Sequence, residues 1–233
     1  MSRLKMPDLH HISHIQTERI NESARAQSLI DAGIELFGEY GINGTTTRML
    51  SKQSGANSAA IPYYFGSKEG LYMASMTHVV NDILDMTSPF VNKVEQCLNE
   101  GLSKEDALKE YQKMMEGFCA LFIEENGLSR YTSLICREHV SPTEAYDIFY
   151  DRYYKRTQKI MCRLIGIIKN MDAHSDEVVI RAHAFFGQTL GFLTAREALT
   201  RSLKGKKITL KHHSIMKKII EDNIDSALKE AMA

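Results

Sequence analysis

A stretch of 28 residues from Gly41 to Lys68 contains no acidic residue, although the segment before it is rich in Glu and Asp. The stretch carries cations at Arg48, Lys52 and Lys68, together with many hydroxyl groups. Lysine and arginine bind phosphate through charge, and hydroxyl groups add hydrogen bonds to phosphate oxygens. This composition therefore indicates a surface that docks on a polyanion such as DNA.

The chain as a whole offers no general attraction for nucleic acid. Its 233 residues include 29 Lys or Arg and 29 Asp or Glu, so the formal net charge is zero. Residues 1–72 hold seven of each sign. Affinity for DNA must therefore depend on where the cations lie. A nonspecific packaging protein, which needs a large basic excess, is disfavoured.

Two short helical patterns in the acid-free stretch have the spacing of a helix-turn-helix. Thr46 or Thr47 can cap the first helix, Gly55 can end it, and Asn57 can cap the second. The second helix of such a motif enters the major groove of DNA. Small residues at positions 58–60 leave its start slim enough to approach base edges.

Positions 46–72 closely resemble the signature of the TetR family of bacterial one-component regulators, and the resemblance extends back through residues 32–41. It implies DNA contacts from Thr47, Arg48, Asn57, Ser58, Ala59, Ala60, Tyr63, Tyr64 and Lys68. In that family the residues matching the first two touch phosphate and base edges, the next four face the bases, and the last three contact the backbone. Pro62 departs from the Tyr of many members, and we assign it no phosphate contact because it lacks both a phenol and an amide donor.

Apolar residues recur every three or four positions, which predicts an all-α fold of about nine helices. The first helix is expected from about Glu22 to Gly41, and the fourth from Ser67, as N-cap, to about Pro89. Ser141 is expected to cap a helix that continues to Lys169, because Pro142 and Glu144 follow it. Further helices are predicted at 104–125, 129–139, 176–199 and 214–232.

The predicted organisation has three parts. Residues 1–21 form an N-terminal arm, for which disorder is the better interpretation, and residues 22–66 form the three-helix DNA-binding domain. Residues 67–233 form a larger helical domain for effector binding and dimerisation. Helices 176–199 and 214–232 are the expected homodimer interface, packing as a four-helix bundle with their mates. Ten apolar side chains would supply its surface: Phe185, Phe186, Leu190, Phe192, Leu193, Ile215, Ile219, Ile220, Ile224 and Leu228.

The run 137–145, followed by a long helix, resembles the CecR-like subgroup of the family, whose C-terminal domain senses small molecules. An effector pocket needs apolar walls with a few polar groups. Its candidate lining residues are Phe118, Cys119, Phe122, Tyr131, Arg137, His139, Tyr150, Tyr153, His183, Phe185 and Gln188. Aromatic residues at helical spacing also form ordinary cores, so both interpretations stand.

Other functional classes find little support in the residues. Four widely spaced cysteines indicate buried thiols rather than a zinc or redox site, and the paired histidines lie in polar segments, so we predict no metal. No nucleophile elbow, phosphate loop or cofactor motif is present, which argues against an enzyme. The chain has no apolar run of about 20 residues, and its start lacks the apolar core of a secretory signal, so we predict a cytoplasmic protein.

The sequence thus predicts a homodimeric, ligand-responsive transcriptional regulator that represses by binding a palindromic DNA operator and leaves it when a small molecule binds. Two alternatives remain at this point. One is a nonspecific DNA-architectural protein, and the other is an activator of the same fold.

Overall fold

The structure is a computed structural model that describes the backbone of residues 9–123 and 131–229. Side chains are described for residues 23–121, 131–192 and 194–228. All regular structure in these residues is helical, as the periodicity predicts. The helices are α1 Leu9–Gly44, α2 Thr47–Ser54, α3 Ala60–Phe65, α4 Lys68–Glu100, α5 Lys104–Ile123, α6 Thr132–Val140, α7 Glu144–Phe149, α8 Lys155–Lys169, α9 Asp176–Thr194, α10 Arg196–Ser202 and α11 Leu210–Lys229, with a π-helical turn, Tyr150–Tyr154, between α7 and α8.

The chain divides into two compact units, residues 1–76 and 77–233. The first contains α1, α2, α3 and the first turns of α4 around a small core. Phe37, Leu50, Ile61 and Leu71 are all buried there, as predicted, whereas Phe65 is half-buried. Helix α1 begins at Leu9 rather than near Glu22, so part of the predicted arm is helical; residues 1–8 lie outside the described residues.

The prediction that helix α4 ends near Pro89 is wrong, because the helix continues to Glu100. A proline inside a helix leaves the carbonyl four residues earlier without its amide donor. That carbonyl belongs to Asp85, and the Ser88 hydroxyl lies 3.4 Å from it. The neighbouring hydroxyl thus offers a partial replacement for the missing amide, and apolar side chains beyond the proline, such as Val91 and Val94, are buried.

The second unit is built on α5, α8 and α9, which pack on one another, with α11 against α5 and α9. Its core contains Tyr111, Met114, Phe118, Leu164 and Val178, each almost fully buried. Helix α7, the π-helical turn and α8 form one continuous helical run to Lys169, as predicted. In the part of the chain that the structure describes, no helix is both long and apolar enough to span a bilayer.

The N-cap of α7 is Thr143, and the prediction of Ser141 is wrong. The Thr143 hydroxyl accepts a hydrogen bond from the amide of Ala145 at 3.2 Å. The carboxylate of Glu138, which is fully buried, accepts from the Thr143 amide at 3.0 Å and lies 3.0 Å from its hydroxyl. This bridge fixes the start of α7 at Thr143, whereas Ser141 ends α6.

The region predicted as two terminal helices is divided differently. The segment 176–199 breaks at Ala195 between α9 and α10, and α11 begins at Leu210 rather than near Ser214. Five side chains expected at the dimer interface are instead buried within the chain: Phe185, Phe186, Ile220, Ile224 and Leu228. Ile215 and Ile219 are exposed, whereas Leu190 and Phe192 are half-buried, and the side chain of Leu193 lies outside the described residues.

Candidate nucleic-acid interface

Helix α2 has the start and the end that its sequence predicts. The Thr46 hydroxyl accepts a hydrogen bond from the Met49 amide at 3.2 Å, which satisfies one of the free amides of the first turn. Gly55 ends the helix in the left-handed conformation, with φ 69° and ψ 6°. A side chain is strained at that φ, so glycine lets the chain turn sharply toward α3.

The turn into α3 presents its side chains to solvent. The Asn57 side-chain oxygen accepts from the Ala59 amide at 3.0 Å, and the Asn57 carbonyl accepts from the Ala60 amide at 2.9 Å. Asn57 therefore shapes the turn, while the helix itself begins at Ala60. Positions 57–59 are exposed, Ala60 is half-buried, and Ile61 is buried and anchors the helix from below.

Exposed groups from both helices are available to a partner. Thr47 and Arg48 are exposed in the first turn of α2, and Tyr63 is 71% exposed on α3. Tyr64 is half-buried, and its ring meets that of Tyr63 edge-on, with ring centres 4.8 Å apart. This contact restricts both rings and supports the exposed phenol of Tyr63. DNA binding by these residues stays a prediction.

Lys68 has partners that the sequence does not reveal. Its ammonium donates to the Ile42 carbonyl at 2.7 Å and to the Thr45 carbonyl at 3.1 Å. An ammonium has three donors, so two of them hold the segment between α1 and α2. The first turn of α4 is capped as predicted, since the Ser67 hydroxyl accepts from the Gly70 amide at 3.0 Å. At most the third donor of the Lys68 ammonium is therefore left for the predicted phosphate contact.

Gly70 is required by a close approach that the sequence analysis missed. A β-carbon at this position would lie 1.9 Å from the Phe65 carbonyl oxygen. Because that oxygen belongs to the backbone, it cannot move aside without shifting the end of α3. Gly70 thus lets α3 pass directly into α4, and the resemblance of positions 46–72 to the family signature was the signal that could have revealed it.

A cleft of about 640 Å³ adjoins the turn and α3. It is bounded on one side by Arg25 and Ser28 of α1 and on the other by Asn57, Tyr63 and Tyr64. None of its described lining residues is acidic. Arg25 and Ser28 are not among the predicted DNA contacts, because neither belongs to the acid-free stretch.

The residues predicted to line an effector pocket differ in how far they are buried. Phe118, Tyr131, Tyr153 and Phe185 are buried core residues, each at most 5% exposed. Arg137, His139 and Gln188 are half-buried, whereas Tyr150 and His183 are exposed. The side chain of Phe122 lies outside the described residues. No cavity described in this unit brings these residues together.

Most of these aromatic residues nevertheless belong to one network of ring contacts. Phe118 contacts Phe186, which contacts Tyr154, with ring centres 5.6 and 5.8 Å apart. The Tyr154 hydroxyl lies 2.8 Å from the His183 Nδ1 atom. Burial raises the pKa of Tyr154 to about 12. The network extends through Phe149 to the pairs Phe149–His139 and Phe149–Tyr153, at 5.2 and 5.4 Å. Phe118, Phe149, Tyr153 and Phe186 are its buried part, His183 lies at the surface, and an effector pocket there stays a prediction.

All four cysteines are free thiols. Cys119 and Cys162 are buried, whereas Cys97 and Cys136 are half-buried. Burial raises the pKa of the Cys119 thiol to about 11, which keeps it protonated at neutral pH. The two buried cysteines therefore pack as small apolar residues, as predicted.

The fold and the exposed helix-turn-helix define a class of protein, the two-unit helical transcriptional regulators. Two family descriptions match the chain. Residues 29–74 match "Bacterial regulatory proteins, tetR family", and residues 107–231 match "HTH-type transcriptional dual regulator CecR, C-terminal domain". The HTH-type transcriptional dual regulator CecR of Shigella flexneri is 31% identical over 179 residues, which cover 76% of this chain and 79% of that protein. The chain belongs to the TetR family and carries a CecR-type C-terminal domain.

Solved structures share this fold at low sequence identity. AibR in complex with isovaleryl coenzyme A and operator DNA matches with a TM-score of 0.59 and 15% identity, over 88% of this chain and 97% of that one. A TetR-like transcriptional regulator from Rhodococcus sp. RHA1 matches with a TM-score of 0.60 and 14% identity, over 88% and 95%. At this identity the likeness establishes the fold alone.

Proposed function

We propose that this TetR-family regulator is a homodimeric repressor that binds a palindromic operator and is released by a small-molecule ligand. The observation that carries the proposal is the exposed, acid-free face of the helix-turn-helix, where Thr47, Arg48, positions 57–59 and Tyr63 project to solvent. Two such faces, related by a twofold axis, would read half-sites about one helical turn, ~34 Å, or a multiple of it apart. The protein would act in the cytoplasm, where its DNA lies.

The proposed dimer interface lies on the outer faces of α9 and α11. Ile215 and Ile219, one helical turn apart on α11, are 47% and 46% exposed, and Ile180 on α9 is 65% exposed. Gly187 and Gly191 of α9 are also exposed, and among the described residues nothing lies within 4 Å of where their β-carbons would be. Exposed isoleucines and exposed glycines on these two helices would let a second copy approach closely and bury apolar surface.

The proposed release mechanism uses helix α4. It begins at Lys68 in the first unit and continues to Glu100 in the second, so a movement of its C-terminal part is carried directly to the DNA-binding unit. A ligand that binds one position of α4 better than another shifts the dimer away from the spacing that fits DNA. A coupling free energy of about 1–3 kcal/mol would weaken operator binding by roughly 5- to 150-fold.

Selection of bound duplexes from random-sequence DNA tests the proposal. We expect one enriched palindrome, bound at least ~1000-fold more tightly than unrelated DNA. The substitution Arg48→Ala should cost about 1–3 kcal/mol on the selected duplex and relax the preference at one base pair. Arg201→Ala, which removes an exposed guanidinium from α10 in the second unit, is the matched control. It should leave the affinity for the selected duplex and the base preference unchanged. Recovery of no sequence preference would instead support the nonspecific architectural alternative.

Light scattering of the purified protein tests the dimer separately. The chain has a mass of 26.4 kDa, and we expect twice that value. Ile219→Glu places a charge in the proposed interface and should shift the protein to the monomer. Val140→Glu is a suitable control, because Val140 is 83% exposed at the end of α6, outside the interface. A dimer unaffected by Ile219→Glu would place the interface elsewhere.

A second candidate function is activation from the same DNA site. The CecR relative is named a dual regulator, which favours this alternative. Transcription from a promoter carrying the selected palindrome, measured with and without the protein, separates the two. Repression predicts a lower rate with the protein present, and activation predicts a higher one.

A further inference from the structure

Arg25 lies on α1 at the edge of the cleft that borders the recognition helix α3. The cleft, of about 640 Å³, is lined by Arg25 and Ser28 on one side and by Asn57, Tyr63 and Tyr64 on the other. Among its described lining residues Arg25 supplies the charge, and the others are hydroxyl, amide or small side chains. The described lining is therefore positive and rich in hydrogen-bonding groups, and the cleft opens beside the residues expected to face bases.

The Arg25 guanidinium is exposed and has no acidic partner among the described residues. The next carboxylates along α1 are hydrogen-bonded elsewhere, Asp31 to Gln27 at 3.1 Å and Glu35 to Gln53 at 2.7 Å. Among the residues whose side chains are described, no carboxylate competes for the donors of this guanidinium, which can therefore bind an anion. Neither the family match, which begins at residue 29, nor the acid-free stretch covers Arg25.

We propose that Arg25 binds a backbone phosphate of the DNA in this cleft and so fixes the angle at which α3 enters the groove. This inference rests on the proposed DNA binding and adds a contact to it. When a recognition helix lies in the major groove, the first helix of the motif, here α2, crosses the sugar-phosphate backbone, and α1 packs against α2. The cleft between α1 and α3 lies where this strand would pass. The planar guanidinium fork matches two phosphate oxygens, with hydroxyl groups such as those of Ser28 and Tyr64 as neutral neighbours.

The salt dependence of DNA binding tests this contact. Each phosphate neutralised contributes about 0.9 to the slope of log K against log salt concentration. For the duplex selected from random DNA by the unsubstituted protein, Arg25→Ala should lower that slope by about 0.9 per chain. Arg25→Lys retains the charge and should restore most of the slope. The loss of affinity should be the same factor for the selected duplex and for a scrambled one, because a phosphate carries no sequence information.

Lys93→Ala is the charge-matched control, since Lys93 is an exposed cation on the part of α4 in the second unit. It should leave the slope unchanged, and circular dichroism should show that both variants keep the helical content of the parent. A slope for Arg25→Ala equal to that of the parent would overturn the inference while leaving sequence-specific binding intact. An affinity loss confined to the selected duplex would also overturn it, because that result indicates a base contact. Failure of the parent protein to bind any duplex would instead refute the proposed function.

Discussion

Replacement of Lys68 by methionine separates a structural role of this residue from a DNA contact. Methionine keeps the apolar stem and the helix propensity of lysine but removes the ammonium. In the structure this ammonium donates to the carbonyls of Ile42 and Thr45, at 2.7 and 3.1 Å. Lys68→Met therefore frees two carbonyls in the segment that joins α1 to α2.

The expected cost follows from those two hydrogen bonds. A hydrogen bond to a charged group contributes about 1.5–3 kcal/mol when one partner is removed. Lys68 is half-buried, so water can replace part of each bond, and we take about 1.5–3 kcal/mol for both together. That free energy corresponds to roughly 10- to 150-fold more frequent local opening of the segment between α1 and α2.

Hydrogen–deuterium exchange of the amides at positions 42–50 measures this opening. Two of them, those of Thr45 and Leu50, donate to backbone carbonyls at 3.1 Å and should lose protection in the variant. Lys52→Met is the matched control, because it removes an exposed cation from α2 and should leave exchange unchanged. Unchanged exchange in Lys68→Met, together with a salt slope of DNA binding lower by about 0.9, would refute the structural role and support a phosphate contact.

Three further substitutions or modifications test features of the packing. Gly70→Ala should destabilise the first unit by about 1–3 kcal/mol or more and weaken DNA binding, because its β-carbon would lie 1.9 Å from the Phe65 carbonyl oxygen and would shift the end of α3. A variant that melts like the parent would contradict this. Tyr111→Phe should leave the unfolding free energy unchanged or raise it by up to about 1 kcal/mol, since the buried hydroxyl has no hydrogen-bond partner among the described residues; a large loss would reveal a partner. Alkylation of Cys119 by iodoacetamide, followed by peptide mass spectrometry, should rise about tenfold per pH unit between pH 7.5 and 9.5, because its pKa of about 11 leaves little thiolate there. A rate that levels off below pH 9 would indicate a lower pKa, and the half-buried Cys97 should react faster throughout.

Features that act within a few residues of one another could be predicted from the sequence. The Thr46 cap, the Gly55 turn and the Ser67 cap all involve partners three or four positions away, so their residue types are informative on their own. Two local predictions, the end of α4 near Pro89 and the cap of α7 at Ser141, were wrong because a neighbouring side chain supplies a hydrogen bond that they did not include. The Ser88 hydroxyl lies near the carbonyl that Pro89 leaves free, and the buried Glu138 carboxylate moves the cap of α7 to Thr143.

Features that depend on contacts between distant segments could not be predicted. Lys68 donates to carbonyls 23 and 26 positions earlier in the chain. The residue type of a lysine does not indicate such a distant partner. An effector pocket also depends on contacts between distant segments, so its lining could not be predicted from the sequence. Helical spacing identifies which side chains share a face, but it does not determine whether the face encloses a cavity. Phe118 and Tyr131 share the expected apolar character and are buried in a packed core.

Polar contacts join α4 to the helical run that ends in α8, and they bear directly on the proposed coupling. Three arginines of that run bind side chains or carbonyls on α4: Arg152 to Asn81, Arg156 to Asn92 and Glu95, and Arg163 to Leu98 and Asn99. The ion pair of Arg156 and Glu95 is 41% and 35% exposed, so it contributes no more than about 1 kcal/mol. Three such contacts together match the coupling of about 1–3 kcal/mol that release requires. An interface of this strength can set the position of α4, and a ligand that favours another position by the same amount can overcome it.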